Sequence, residues 1–215
     1  MGYGATPVNP LQTRPMGDET TNIRDAASLL LLKSQPGVPP SVLMGMRNAG
    51  HKFLPNKLVF PGGRVDAGDA AAPLASPLPP AALDMLGRAA TPEQARGLGH
   101  AAARELEEET GLSLGTPPEL HSLEYLCRAV TPPFSPIRFN ARFFVAPETA
   151  VHGALAGSGE LEGLAWYAID AALALDLGLA TRSVLEQLQL WLAMDEAARA
   201  SRKLPVFMNA QWQYE

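Results

Sequence analysis

The sequence predicts an α+β chain, an α/β/α sandwich with a mixed sheet and a helix that carries a cluster of glutamates. Three observations predict it. Short apolar runs suited to strands lie early, at 25–34 and 41–47, and late, at 122–131, 137–147 and 161–169. Two long helical patterns stand apart from them, at 91–110 and 180–200. Strand and helix do not alternate as a doubly wound parallel sheet requires.

Bulk properties narrow the function. The chain has 215 residues, 47% of them hydrophobic, enough for one domain with a sizeable core. Its formal charge of −5 lacks the cationic field that nucleic acid or an anionic membrane needs, so neither is an expected partner. An anionic ligand would then need metal ions or a few placed Arg and Lys. The lone Cys127 allows no internal disulfide and suits a reducing cytoplasm, the expected location; it reads as a buried apolar residue. The run Leu29–Leu32 is far too short to cross a bilayer, and "MGYGATPVNPLQTRP" lacks the apolar stretch of a signal peptide.

Taken in order, residues 1–22 are rich in Pro, Thr and Gly and read as an irregular arm. The main domain spans 23–200. Strands at 25–34 and 41–47 are separated by "QPGVPP", a loop by its Pro and Gly content, and a short strand at 58–63 ends in the turn Pro61-Gly62-Gly63. An insertion occupies about 70–98; its "AAAPLASPLPPAA" holds too many prolines for a regular strand or a long helix. Its role is open between a lid, a specificity loop and an oligomer contact. Thr91-Pro92-Glu93-Gln94 is a helix start with a capping box, and Gly111 a helix stop; Gly97 and Gly99 weaken the middle enough to predict a break there. The helix at 180–200 has Val184, Leu188, Trp191 and Leu192 on one face. That helix and the tail 201–215 read as either a homodimer contact or a cover over the site.

The chemistry concentrates in "RELEEETGL". At 100° per residue, Glu105, Glu108 and Glu109 share a helix face about 100° wide, and Glu107 points the opposite way. Ala102, Ala103 and Leu106 form a packing surface between them. Like charges on one face repel, and anions near a helix C-terminus oppose its dipole. Divalent cations remove both penalties, and glutamate oxygens suit Mg²⁺ or Mn²⁺. A solvated acidic face is the competing reading.

Together the glycine turn and this helix resemble the signature of the Nudix hydrolases: Gly, five residues, Glu, seven residues, then Arg-Glu-apolar-x-Glu-Glu-x-Gly-apolar. The second half matches from Arg104 to Leu112; in the first half Gly63 is followed by Asp69 in the place of Glu. Between Asp69 and Arg104 lie 34 residues where the family has seven, an insertion of 34 − 7 = 27. Such length costs little, because closure entropy grows slowly. The chain over about 23–192 looks like the branch with an interrupted signature that includes coenzyme A and acyl-coenzyme A diphosphatases. Arg47 and "FPGG" fit that branch, while "NAGHKFLPNKLV" lacks its Arg and Gly-Gln elements.

The resemblance implies a Nudix-type sandwich and a metal-dependent hydrolase of a diphosphate linkage in a small nucleoside diphosphate derivative, coenzyme A or acyl-coenzyme A included. It implies that Glu105, Glu108 and Glu109, with the carbonyl of Gly63, hold Mg²⁺ or Mn²⁺, and that Arg104 orients them. Glu108 is the glutamate on which turnover depends. A further base is expected from Glu160 or Glu162, with Glu160 favoured. Arg47, Arg138 and the Gly62 backbone are expected at substrate; Arg142 is weighed beside them, and Phe134, Phe139 and Trp166 as stacking surfaces. The histidines His51, His100, His121 and His152 have no metal-ligand spacing and receive no role. The alternative is a Nudix-fold nucleotide-binding sensor without catalysis.

Overall fold

Strand β1 (Arg24–Gln35) is apolar on both faces because both faces are covered. The computed structural model describes residues 23–48, 56–157 and 159–215. The expected arm, 1–22, lies outside the described residues. Side chains alternate across a strand: Leu29 and Leu31 enter one core cluster, Leu30 and Leu32 the other. The first cluster lies under α1 (Pro80–Leu86) and α2 (Pro92–Thr110), the second under α3 (Ile169–Leu173) and α4 (Leu179–Leu192). The result is the expected α/β/α sandwich around a mixed sheet.

β1 runs parallel to β7 (Phe139–Pro147). Its other edge is shared. Lys33 and Gln35 lie in register with residues of antiparallel β2 (Val38–Arg47), while Ala26–Ser28 pair with antiparallel β4 (Gly62–Arg64). β2 also carries β3 (Leu58–Val59) and β9 (Leu161–Ala168). On the far side β6 (Glu124–Val130) pairs with β7. A two-strand annex joins β5 (Leu112–Ser113) to β8 (His152–Gly153).

Four expectations change. α2 is one helix of 19 residues, unbroken at Gly97 and Gly99. Both glycines are buried, and a Cβ on Gly99 would lie 2.8 Å from Leu120 Cδ1 and 3.1 Å from Leu78 Cγ, so they let inserted chain pack close. The expected helix at 180–200 is two: α4 ends at Leu192, and Asp195 caps α5 (Glu196–Ser201) by accepting from Ala198 N–H at 2.8 Å. The 35–40 loop shrinks to a turn at Pro36–Gly37, where Gly37 takes φ +77°. The tail forms β10 (Pro205–Met208) and β11 (Gln211–Tyr214), a hairpin that extends the sheet beyond β6. It therefore stands three strands from β1 and does not cover the glycine turn. Trp191 is 4% exposed, with Arg199 stacked on its ring, so it is a core residue and not an exposed dimer contact.

The expected helix start is present in full. Gln94 N–H donates to Thr91 Oγ1 at 3.2 Å, Thr91 N–H donates to Gln94 Oε1 at 2.8 Å, and Gly111 closes the helix at φ +72°. We predict that Thr91→Ala costs about 1 kcal/mol of stability. Phe144→Ala, which empties a fully buried place between sheet and α2, should cost about 3–5 kcal/mol. Urea unfolding measures both, and the order Phe144 over Thr91 is the outcome that checks the core assignment.

Candidate active site

The glycine strand and the acidic helix meet because neither has bulk between them. α2 reaches the sheet on Ala101, Ala102, Ala103 and Leu106, all at 3% exposure or less. Opposite stands Gly63, where a Cβ would lie 2.4 Å from Glu105 Cδ. At Gly62 a Cβ would lie 2.2 Å from Ser28 Oγ and 2.6 Å from Ala27 O. A side chain at Gly63 would push strand and carboxylate apart, and one at Gly62 would push β4 away from β1.

The backbone of the turn is polarised toward the helix. Leu29 N–H donates to Pro61 O at 3.0 Å and Val65 N–H to Asp25 O at 2.9 Å. Bonded pairs alternate along an antiparallel ladder, so Ala27 and Gly63 form the bonded pair between them. The Gly63 carbonyl thus faces β1, and it is the Gly62 peptide that faces the carboxylates. Gly62 N–H donates to Glu109 Oε2 at 2.8 Å.

Glu109 is 3% exposed, and burial pushes its carboxyl up to about 8 against the Gly62 hydrogen bond. Glu105 is also raised, first by burial, with Arg104 opposing. Glu108 lies on the same side with its side chain 58% exposed. Glu107 points away, within 3.3 Å of Ser113 Oγ, as the helical angles predict.

Arg104 links these groups. Nη1 donates to Glu105 Oε1 at 2.8 Å and to Glu108 Oε2 at 3.0 Å. Nε and Nη2 donate to the two oxygens of Asp69 at 3.0 and 3.1 Å, and Nη2 also reaches Arg64 O at 3.0 Å. The shorter Asp69 therefore grips Arg104 with both oxygens. Burial raises the Asp69 pKa, but Arg104, Asp66 N–H and His100 together hold it below the ordinary carboxylate value. His100, given no role from spacing, places Nδ1 3.0 Å from Asp69 Oδ1. Its signal in the sequence is its position one turn before Arg104, legible only once Asp69 is known to lie there.

Other expected residues divide. The Glu160 charge adds, as the smallest of the causes, to the raised pKa of both Glu105 and Glu109, whereas the Glu162 carboxylate takes Asn48 Nδ2 at 2.6 Å. The Arg47 cation, at the end of β2, lowers the Glu109 pKa, and its Nε is buried without a hydrogen-bond partner among the described residues. Arg138 lies at the start of β7, across β1 from the glycine strand, where Nε donates to Thr131 O at 3.3 Å. Arg142 is 2% exposed and is committed to Asp25, Asn140 O and Ala89 O, so it does not reach a ligand. Phe134 is 87% exposed, while Trp166 packs on the α2-side core with Lys33 Nζ 5.6 Å from its ring.

The donors fit a hard divalent ion. Buried carboxyls that resist ionisation, with the Gly62 peptide beside them, are a place where a cation gains from each carboxylate it restores. Among the described residues no three His, Cys, Asp or Glu side chains converge as a ready cage. The Arg104 guanidinium holds Glu105 and Glu108 in place of one. Clefts of about 610 and 310 Å³ flank this lattice, one against Arg64 and Asp66, the other against His100 and Arg104.

Residues 91–188 match the family model described as the NUDIX domain. No curated protein matches the chain. Solved structures do. A NUDIX hydrolase from Alicyclobacillus acidocaldarius aligns with TM-score 0.64 at 24% identity, covering 85% of this chain and 97% of that one. A MutT protein from Methanosarcina mazei Go1 aligns with TM-score 0.54 at 15% identity, covering 80% and 96%. The NUDIX domain of Shewanella oneidensis NrtR, complexed with ADP ribose, gives 0.52 at 17%, covering 80% and 89%. At these identities the likeness establishes the fold.

The raised carboxyls give a pH dependence with a definite sign. Between the ordinary value of 4.5 and about 8, folded Glu109 keeps a proton that the unfolded chain has lost. Its stabilising contribution is therefore complete below about 4.5 and fades as pH rises toward 8. We predict that the thermal midpoint of the metal-free protein falls across this window and that Glu109→Gln flattens the fall. Superimposable profiles for the two proteins would contradict the burial of this carboxyl.

Proposed function

We propose, for a chain that carries a Nudix domain on residues 91–188 and has the Nudix fold, that it is a metal-dependent hydrolase of a diphosphate linkage in a nucleoside diphosphate derivative. The observation that carries this reading is the burial of Glu105 and Glu109 against the Gly62–Gly63 backbone, with Arg104 bridging Glu105 to Glu108. A solvated acidic face would leave these side chains in water. The coenzyme A or acyl-coenzyme A diphosphate is the finer substrate expected from the interrupted signature. The ADP ribose of the NrtR domain is another compound of the same class.

In this mechanism Glu105, Glu108 and Glu109 are the residues that would hold Mg²⁺ or Mn²⁺, and the metal would supply charge neutralisation of the diphosphate and a water of lowered pKa. Arg104 keeps the glutamates on one side of α2 and fixes the angle of Glu105 through its grip on Asp69. Glu160 is assigned the proton of the attacking water, a reading supported by its charge acting on both Glu105 and Glu109. Arg47 brings a cation to the carboxylate side and offers a partner for a substrate phosphate oxygen. Arg138 stands farther off, and its place is with the distal part of a long substrate.

A panel of dinucleoside, sugar-nucleotide and coenzyme A diphosphates with Mg²⁺ and Mn²⁺ tests the function. Glu108 is mostly exposed, so Glu108→Gln should leave folding intact while turnover falls about 10²–10⁴-fold. Near-wild-type hydrolysis by this variant removes the mechanism. Tight binding of one panel member without metal-dependent turnover would turn the reading toward a sensor.

A further inference from the structure

We propose that His100 is a positioning residue for Arg104, acting through Asp69, and that this contact docks the inserted segment onto the acidic helix. Residues 96, 100, 104 and 108 stand four apart and form one stripe along α2. The stripe grips the start of the inserted segment. Arg96 Nε donates to Ala70 O at 2.8 Å and Nη2 to Ala72 O. His100 and Arg104 both take Asp69.

Asp69 is 3% exposed and receives four donors: Arg104 Nε and His100 Nδ1 on Oδ1, and Arg104 Nη2 and Asp66 N–H on Oδ2. Two carboxylate oxygens offer about four lone-pair sites, so the set is filled. The hydrogen bonds outweigh burial and keep Asp69 ionised, hence acceptor-only, which puts the ring proton of His100 on Nδ1. Without that N–H, Oδ1 keeps only the Arg104 Nε donor, and Asp69 is held less tightly about its terminal torsion. The bidentate grip on Arg104 then loosens, and with it the orientation of Glu105 and Glu108. Asp69 lacks one methylene of the glutamate in the signature, and the imidazole supplies the donor that fixes the shorter carboxylate.

The inference rests on the proposed function insofar as the glutamates act on substrate. It is tested with His100→Ala, His100→Asn and His100→Gln. Asn sets its amide nitrogen where Nδ1 stands, whereas Gln sets it where Nε2 stands. For the Ala and Gln variants we expect kcat to fall about 10–100-fold with little change in KM, and Mn²⁺ affinity by calorimetry to fall about tenfold. Asn should restore most of both. Nitrogen-15 spectra of the metal-free wild type should show His100 protonated on Nδ1. Urea unfolding identifies any variant that fails to fold; if Ala does, the Asn and Gln pair decides. Wild-type kcat and Mn²⁺ affinity in the Ala variant, equal behaviour of Asn and Gln, or a ring protonated only on Nε2 overturns the proposal. If the wild type were inert toward the whole panel, the proposed function would fall, and the ring protonation and Mn²⁺ affinities would still decide the role of His100.

Discussion

Two carboxylates pressed against a backbone without side chains are the constraint on which the rest depends. Glu105 packs against Gly63, and Glu109 takes the N–H of Gly62. To bring them there, α2 must lie close to the sheet, which its alanine face permits. The sheet must be rigid at that point, and β1 provides this, bonded to β4 and β7 and covered on both faces. A buried acid that resists ionisation stores a preference for whatever positive charge next arrives. Electrostatics at the site thus follow from packing, and packing follows from where the chain has Gly and Ala.

Arg104 prevents the acidic face from becoming merely repulsive. One guanidinium touches Glu105, Glu108, Asp69 and the Arg64 carbonyl, so helix, glycine strand and the chain leading into the inserted segment share one cation. Arg suits this work, since its planar fork can serve several oxygens at fixed angles. The inserted chain is correspondingly tied down. Ala75 N–H bonds to Pro118 O, Leu120 N–H to Ser76 O, and Arg96 holds Ala70 and Ala72. Ala70 and Leu78 also pack against Gly97 and Gly99 in the first half of α2.

Local chemistry was legible in the sequence where it rests on neighbours along the chain. Thr91, Pro92, Gln94 and Gly111 mark the ends of α2, and the angles of its glutamates separate Glu107 from the rest. The two-sided burial of Leu29–Leu32 was legible as well. What depends on distant chain was not. Gly97 and Gly99 look like helix breakers until the packing of Ala70, Leu78 and Leu120 against them is seen. β10 and β11 are four residues each, and the hairpin they form gains its place from the pairing of β10 with β6, about 78 residues earlier. The link of His100 to Asp69 spans 31 positions, and no local pattern encodes it.

The most direct measurement is the anomalous scattering of crystals grown or soaked with Mn²⁺. A divalent ion held between Glu105 and Glu109, beside the Gly62 peptide, gives an anomalous peak there, with Arg104 displaced from at least one glutamate. Occupied Mn²⁺ peaks elsewhere with that place empty, or none at a concentration that supports turnover, would contradict the account.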